Sequence, residues 1–259
     1  IANTSGTMCF EKQKVFYCYT SALMEDGERN GMHYHQSIER TFKELDAEAC
    51  ITKSVKIAKS LMDATPVSTG NYDIIFATDM LGDLISAFEL VFSAKAAKEG
   101  VNPWRKKIGD QVADKGITII DMPKYENGFN YRTFDAEGFL CNDTTLIENG
   151  ELKTFYHNSA TANHFGVSNN ANASRSPKGV LGVGGSQKVI QPGKSKNSSL
   201  RDGKFLEIFA LQGLHSGADS ISGDFSFGAS GFLHEDGEVV QTIKGITVSG
   251  NFFKFINQI

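Results

Sequence analysis

The sequence lacks a basic excess, a long apolar run and any regular spacing of cysteines. Among its 259 residues, 26 Lys and Arg stand against 30 Asp and Glu, which gives a formal net charge of −4. Surfaces that bind nucleic acid depend on clustered positive charge, so this balance argues against direct binding to DNA or RNA. No run of about 18 apolar residues occurs, and we therefore expect no membrane-spanning helix.

Cysteine is scarce, and its placement carries no recognisable motif. The four cysteines form no C-x-x-C pair and are too few for a disulfide framework; they are Cys9, Cys18, Cys50 and Cys141. Reduced thiols in a cytoplasmic protein are the expectation, and the spacing predicts no metal cluster. The first residue is Ile1 and no leader follows it, so we expect a fragment of a longer chain, with a processed form as the alternative.

The N-terminal part predicts a strand, a turn and an amphipathic helix. Residues 14–20 are predicted to form a strand, with a turn at residues 27–31. Asp46 is the predicted N-cap of a helix that runs to about Met62. Its predicted apolar stripe consists of Ile51, Val55, Ala58 and Met62.

Pro66 and Gly70 lie after that helix and predict a domain junction there. A second helix is predicted at residues 79–99, and residues 166–204 read as a long irregular loop. The expected fold class is α+β, with mixed or antiparallel sheets, hairpins and a few packed helices. The predicted domains are residues 1–66 and residues 67–259.

Residues 217–237 are unusually rich in glycine and small polar residues. They predict a loop, a strand and a tight hairpin turn at Asp236-Gly237, followed by a return strand. A second hairpin turn is predicted at Asn149-Gly150 by the same chemistry. So many glycines in an extended segment indicate close approach by another strand or by a ligand.

Three patterns suggest catalytic or binding chemistry, and each has a simpler explanation. His33 and His35 share one strand face and could bind a metal, but no third ligand is near in sequence, which favours a solvated face. His234-Glu235 lacks the second histidine of a helical zinc site and precedes a turn. The glycine-rich residues 179–186 have Gly185 where a phosphate loop needs lysine.

Several segments together resemble the TldD/PmbA family, long described as modulators of DNA gyrase. The segments, in order, are Gly109-Asp-Gln-Val112, Ile119-Ile-Asp-Met-Pro123, Phe134-Asp-Ala-Glu-Gly138, Leu146-Ile-Glu-Asn-Gly150, Asn172-Ala-Ser-Arg175, Pro192-Gly193 and the block from Gly217 to Asn251. The resemblance covers most of residues 70–251. It implies that residues 1–66 are the tail of the family's first domain and that the chain is shortened at both ends.

The resemblance also carries an expectation about metal. TldD-type members have H-E-x-x-x-H on the helix that opens this domain and a cysteine near their C-terminus, whereas PmbA (TldE) members lack them. The predicted helix at residues 79–99 contains no histidine, and no cysteine follows Cys141. The chain is therefore similar to the PmbA-type subunit, with no catalytic or metal-binding residue of its own and with zinc expected in a TldD-type partner.

The implied function is that of a metal-free subunit in a metalloprotease complex that acts on unstructured peptides. The expected partner is a TldD-type catalytic subunit or a second copy of the chain, and any activity of the chain alone is left open. The alternatives are a self-associating regulatory protein without a proteolytic role and an independent hydrolase. The residues expected to bind a peptide or line a cleft are Gly223, Asp224, Phe225, Ser226, Gly228 and Ser230.

Overall fold

A computed structural model describes residues 1–194 and 199–259. The helices are α1 (Ala47–Leu61), α2 (Thr78–Ala87), α3 (Ala94–Lys98), α4 (Ser159–Phe165) and α5 (Phe252–Phe255). The strands are β1 (Phe16–Asp26), β2 (Arg29–Glu39), β3 (Ile74–Phe76), β4 (Ile119–Asp121), β5 (Thr144–Glu148), β6 (Glu151–Leu152), β7 (Ala173–Ser174), β8 (Gly182–Val183), β9 (Lys188–Ile190), β10 (Lys204–Gln212), β11 (Asp224–Glu235) and β12 (Glu238–Asn251). Parallel and antiparallel pairs both occur, so the predicted α+β class is confirmed.

The N-terminal layer is a two-stranded hairpin packed on one helix. Strands β1 and β2 pair antiparallel without a shift in register, from Phe16 opposite Glu39 to Asp26 opposite Arg29. The prediction of a turn at residues 27–31 was wrong in extent, because β2 already begins at Arg29. Gly31 lies against α1, where an added Cβ would come within 2.0 Å of the Ala58 carbonyl oxygen. This close approach requires glycine.

Helix α1 begins as predicted but buries a different face. Asp46 is its N-cap and accepts a hydrogen bond from the backbone N–H of Ala49 at 2.8 Å. The predicted stripe was wrong at Ile51 and Val55, whose exposed fractions are 53% and 40%. The close hairpin favours small side chains at Cys50, Ser54 and Ala58, and Leu61 completes the buried face.

The main sheet has the strand order β12-β11-β10-β3. Strands β11 and β12 form the predicted hairpin, with Asp236 and Gly237 at φ angles of 51° and 88°. Positive φ at both central residues is the geometry that Asp-Gly favours in a two-residue turn. Strand β3 adds to β10 in parallel and leads directly into α2.

The single helix predicted over residues 79–99 was wrong, because the segment contains three shorter pieces. Helix α2 ends at Ala87, a 3₁₀ turn spans Glu89–Phe92, and α3 begins at Ala94. Ser93 is extended between them and pairs with Tyr156, whose N–H and C=O bond to Phe92 and Ala94. A distant part of the chain therefore interrupts the helix.

A second sheet, β6-β5-β4-β9, packs against the same hydrophobic core as the main sheet. The predicted turn at Asn149-Gly150 is present between β5 and β6, with φ angles of 49° and 80°. The predicted irregular loop at residues 166–204 contains β7, β8 and β9, so it is more ordered than expected; its residues 195–198 lie outside the described part of the chain. Aromatic rings dominate the core, as in the Phe88–Phe252 stack at 4.4 Å.

Candidate functional site

The residues predicted to line a cleft divide between the two faces of β11. Since side chains alternate along a strand, Asp224, Ser226, Gly228 and Ser230 share one face and Phe225 lies on the other. Phe225 is 7% exposed and stacks on Phe227 in the hydrophobic core, with ring centroids 5.4 Å apart. Ser230 is buried on the outer face. The structure therefore brings Asp224, Ser226 and Gly228 to one open surface and places Phe225 in the interior.

The neighbouring strands extend this open surface with small polar side chains. Thr247 and Ser249 of β12 pair with Gly228 and Ser226, and residues directly opposite one another share a face. Gln212 of β10 lies on the other side of Gly228, whose added Cβ would meet the Gln212 side chain at 3.4 Å. We call this surface the polar face; it consists of Gln212, Asp224, Ser226, Gly228, Thr247 and Ser249.

Gly223, the remaining predicted residue, ends the loop before β11 at a φ of 85°. An added Cβ there would lie 2.6 Å from the ring of Phe253. The Asn251 side chain donates to the carbonyl of Ser222 at 2.9 Å and to the Asp224 carboxylate at 2.8 Å. These contacts fix the end of the polar face where β11 begins and β12 ends.

Strand β2 crosses over the sheet and bounds the polar face at its other end. Asn30, beside the turn, accepts a hydrogen bond from Lys244 Nζ of β12 at 2.8 Å. Further along, the His33 ring stands edge-on to Phe209 of β10, with centroids 5.4 Å apart. The negative charge of Asp79, at the start of α2, acts to raise the pKa of His35 against the larger lowering effect of burial. The crossing therefore runs from β12 to β10.

The rings at this crossing form a wall. Phe209 packs on Phe232 of β11 with centroids 4.8 Å apart, and His33 covers Phe209. Along β11, Phe232 follows Gly228 and Ser230 on the same outer face. We call the step from the polar face to these aromatic rings the notch, with the polar face as its floor and the rings as its wall. Its floor is small and polar, and its wall is aromatic.

Burial, together with neighbouring charges, lowers the pKa of both histidines of the crossing and so favours their neutral form. Burial lowers the pKa of His33, and the neighbouring His35 lowers it further. Burial and then Lys53 lower the pKa of His35, while Asp79 acts in the opposite direction. Burial and the nearby Asp79 raise the pKa of Asp83. A neutral imidazole can both donate and accept a hydrogen bond.

The residues present do not fit a zinc ion. Within residues 1–194 and 199–259, no three His, Cys, Asp or Glu side chains are grouped so that they could hold a metal. His234 and Glu235 lie at the end of β11 and not on a helix. The His234 ring stacks on Phe205 at 4.6 Å, and its Nε2 lies 3.0 Å from the Glu207 carboxylate, off the hydrogen-bonding direction. The position of His234 is therefore explained by packing against Phe205.

The glycine-rich residues 179–186 are held by a buried carboxylate that sequence reasoning missed. Asp121 is 0% exposed and accepts hydrogen bonds from the N–H groups of Ser186 and Gln187 at 2.9 and 2.6 Å. The Asn172 side chain donates to it at 3.0 Å. An added Cβ on Gly185 would come within 2.3 Å of the Tyr156 hydroxyl. Gly185 is therefore required by packing. The signal for Asp121 in the sequence was an aspartate at the end of the strand that contains Ile119 and Ile120.

None of the helices in the described ranges is both long and apolar enough to cross a membrane.

Comparison with known proteins identifies relatives over nearly the whole chain. The family model of the PmbA/TldA metallopeptidase C-terminal domain matches residues 69–259. A metalloprotease of Methanothermobacter thermautotrophicus is 27% identical over 266 residues, which covers 99% of this chain and 58% of the relative. The chain thus spans little more than half the length of the curated relatives it matches.

Solved structures share the fold. A Thermotoga maritima protein described as a candidate modulator of a DNA gyrase is 29% identical, with a TM-score of 0.83 over 94% of this chain and 56% of the other. TldE from Thermococcus kodakarensis has a TM-score of 0.86 over 98% of this chain and 58% of the other; its 23% identity supports the likeness of fold alone.

Proposed function

Because the chain belongs to the PmbA/TldD family of metallopeptidases, we propose that it is a metal-free, PmbA/TldE-like subunit of a cytoplasmic metalloprotease complex that acts on unstructured peptides. One observation supports this proposal: among the described residues, no three side chains that could bind a metal lie close together. Helix α2 offers only the carboxylates of Asp79 and Asp83 as possible ligands. Zinc and the cleavage step then belong to a TldD-type partner.

The chain's own contribution would be to hold the peptide. A peptide strand gains sequence-independent affinity by hydrogen bonding to the free edge of a sheet. Strand β12 is such an edge, 14 residues long, beside the polar face. In the described ranges, Thr65 covers this edge near Thr242, while the backbone of residues 246–250 makes no backbone hydrogen bond outside the sheet. The small side chains of the polar face leave room for a backbone to approach.

A specific observation favours a second candidate, a self-associating regulatory protein. The hairpin face that points away from α1 exposes apolar and aromatic side chains along both strands. Exposed apolar patches of this kind mark interaction sites. The residues are Tyr17, Tyr19, Leu23, Met32 and Tyr34, each more than half exposed.

Cleavage assays with and without a TldD-type subunit separate the candidates. The test uses an unstructured fluorogenic peptide, a TldD-type subunit that carries H-E-x-x-x-H, and zinc analysis of each chain. We expect cleavage by the pair, no cleavage by this chain alone, and zinc in the partner only. Cleavage by this chain alone, or stoichiometric zinc in it, would overturn the proposal. No cleavage with either combination, together with self-association, would favour the regulatory candidate.

A bulky substitution tests the role of the polar face. Ser226→Trp places a large ring over the notch floor and should weaken peptide binding by the pair at least tenfold. Ser168→Trp is the matched control, since Ser168 is exposed after α4 and outside the polar face. Fluorescence anisotropy of a labelled peptide measures both. Equal affinities for the two variants would argue against peptide binding at this face.

A further inference from the structure

Two cysteines from different elements meet between the hairpin and α1. Cys18 lies near the start of β1 and Cys50 in the first turn of α1, yet their Sγ atoms are 3.8 Å apart. Cys50 is 1% exposed, and Cys18 is half-buried. The other two thiols contact backbone carbonyls: Cys9 contacts Gly138 at 3.7 Å and Cys141 contacts Ala171 at 3.4 Å. One pair of thiols is therefore close enough to react within the folded chain.

We propose that Cys18 and Cys50 form a reversible thiol–disulfide site whose co-reactant is a low-molecular-weight disulfide such as oxidised glutathione. The sulfur atoms are already in contact, and a disulfide needs them roughly 1.8 Å closer. Rotation of the two side chains about χ1 provides displacements of this size. The site goes beyond the proposed peptide-binding role and does not depend on it.

The reaction has two exchange steps. The Cys18 thiolate, the more accessible sulfur, attacks one sulfur of oxidised glutathione, forms a mixed disulfide and releases one glutathione thiolate, which takes up a proton. Cys50 then loses its proton, attacks the Cys18 sulfur and expels the second glutathione, which takes up that proton. Two protein thiols are oxidised, one small disulfide is reduced to two thiols, and the atoms and electrons balance.

Packing explains why this bond would matter here. The buried face of α1 is built mainly from small side chains, Cys50, Ser54 and Ala58, which bury little apolar area. A bond near the start of α1 would tie it to β1, while Gly31 and Ala58 already hold the other end together. Since β1 pairs with β2 along its whole length, the bond would also restrain β2, which carries His33.

Mass spectrometry of the full chain tests the site. After incubation of the reduced protein with oxidised glutathione, we expect a loss of about 2 Da and protection of two cysteines from alkylation. Non-reducing tryptic digestion should join residues 15–29 to residues 44–53. The oxidised form should unfold about 5 to 10 °C higher than the reduced form, because the bond closes a long loop.

Variants identify the sulfurs and make the proposal refutable. Cys18→Ser should abolish the loss of mass, and Cys50→Ser should stop the reaction at the glutathione adduct on Cys18. Cys9→Ser, which changes another partly exposed thiol, should react like the wild type. Persistent alkylation of both cysteines in the wild type, a stable wild-type adduct, or a bond to Cys9 or Cys141 would overturn it. The wild-type peptide map and Cys18→Ser suffice if Cys50→Ser fails to fold.

Discussion

Gly31→Ala should destabilise the N-terminal layer, because the added methyl has no room. Its Cβ would lie 2.0 Å from the carbonyl oxygen of Ala58 and 3.0 Å from the backbone nitrogen of Met62. Both atoms belong to the backbone of α1 or its C-cap, so no side-chain rotation relieves the overlap. The helix and the hairpin must separate by about 1 Å, and atoms across a gap of that size forfeit roughly a quarter to a half of their dispersion energy.

The expected cost follows from known responses to overpacking. Extra methyl groups in tight interiors cost about 1 to 3 kcal/mol, and a contact with rigid backbone belongs at the upper end. Gly82→Ala is the matched control, since the same methyl added within α2 meets nothing within 4 Å. Alanine is favoured over glycine in a helix interior by about 0.5 to 1 kcal/mol, so this variant should be stabilised.

Urea unfolding of the wild type and both variants measures the difference. We expect Gly31→Ala to have a lower free energy of unfolding, by about 2 to 3 kcal/mol, and Gly82→Ala a higher one. Hydrogen exchange should show the loss in β2 and α1 before the main sheet. If Gly31→Ala unfolds within about 0.5 kcal/mol of the wild type, the close packing of β2 on α1 is refuted.

Two further predictions concern buried or paired carboxylates. Asp121→Asn should cost about 2 to 4 kcal/mol of unfolding free energy, because an amide group would face three hydrogen-bond donors, whereas the exposed Asp143→Asn should change it by less than about 0.5 kcal/mol. Equal effects in thermal unfolding would contradict the role of Asp121. The hydrogen bonds from Arg201 hold the pKa of Glu207 below its usual value of 4.5, against the opposing effect of burial. The ionised group therefore stabilises the fold fully above pH 4.5. The advantage of the wild type over Glu207→Gln in urea should be constant near neutrality and shrink as the pH falls below 4.5 through the lowered pKa; a difference independent of pH would contradict this.

The sequence predicted those features whose cause is local. Asn149-Gly150 and Asp236-Gly237 adopt positive φ angles within two residues, so the residue types alone predicted both hairpins. Asp46 was found as an N-cap for the same reason. The break at Ser93 depends on Tyr156, which is distant in the sequence, and so the helix was predicted to continue. The buried face of α1 likewise depends on how closely β2 approaches it.

The candidate site shows the same limit, and it also indicates which strand would bind a peptide. Composition marked β11 as unusual, but β11 lies between β10 and β12, so its backbone groups already pair on both sides. A peptide that extends the sheet on the β12 side would therefore bond to the outer edge of β12, and β12 would lie between the peptide and β11. Under the proposed function, the glycine and serine residues of β11 shape the floor of the notch, while residues 246–250 of β12 supply the backbone bonds. A proline at an outward-facing N–H of that segment should then reduce peptide affinity more than the same change on the hairpin β1–β2.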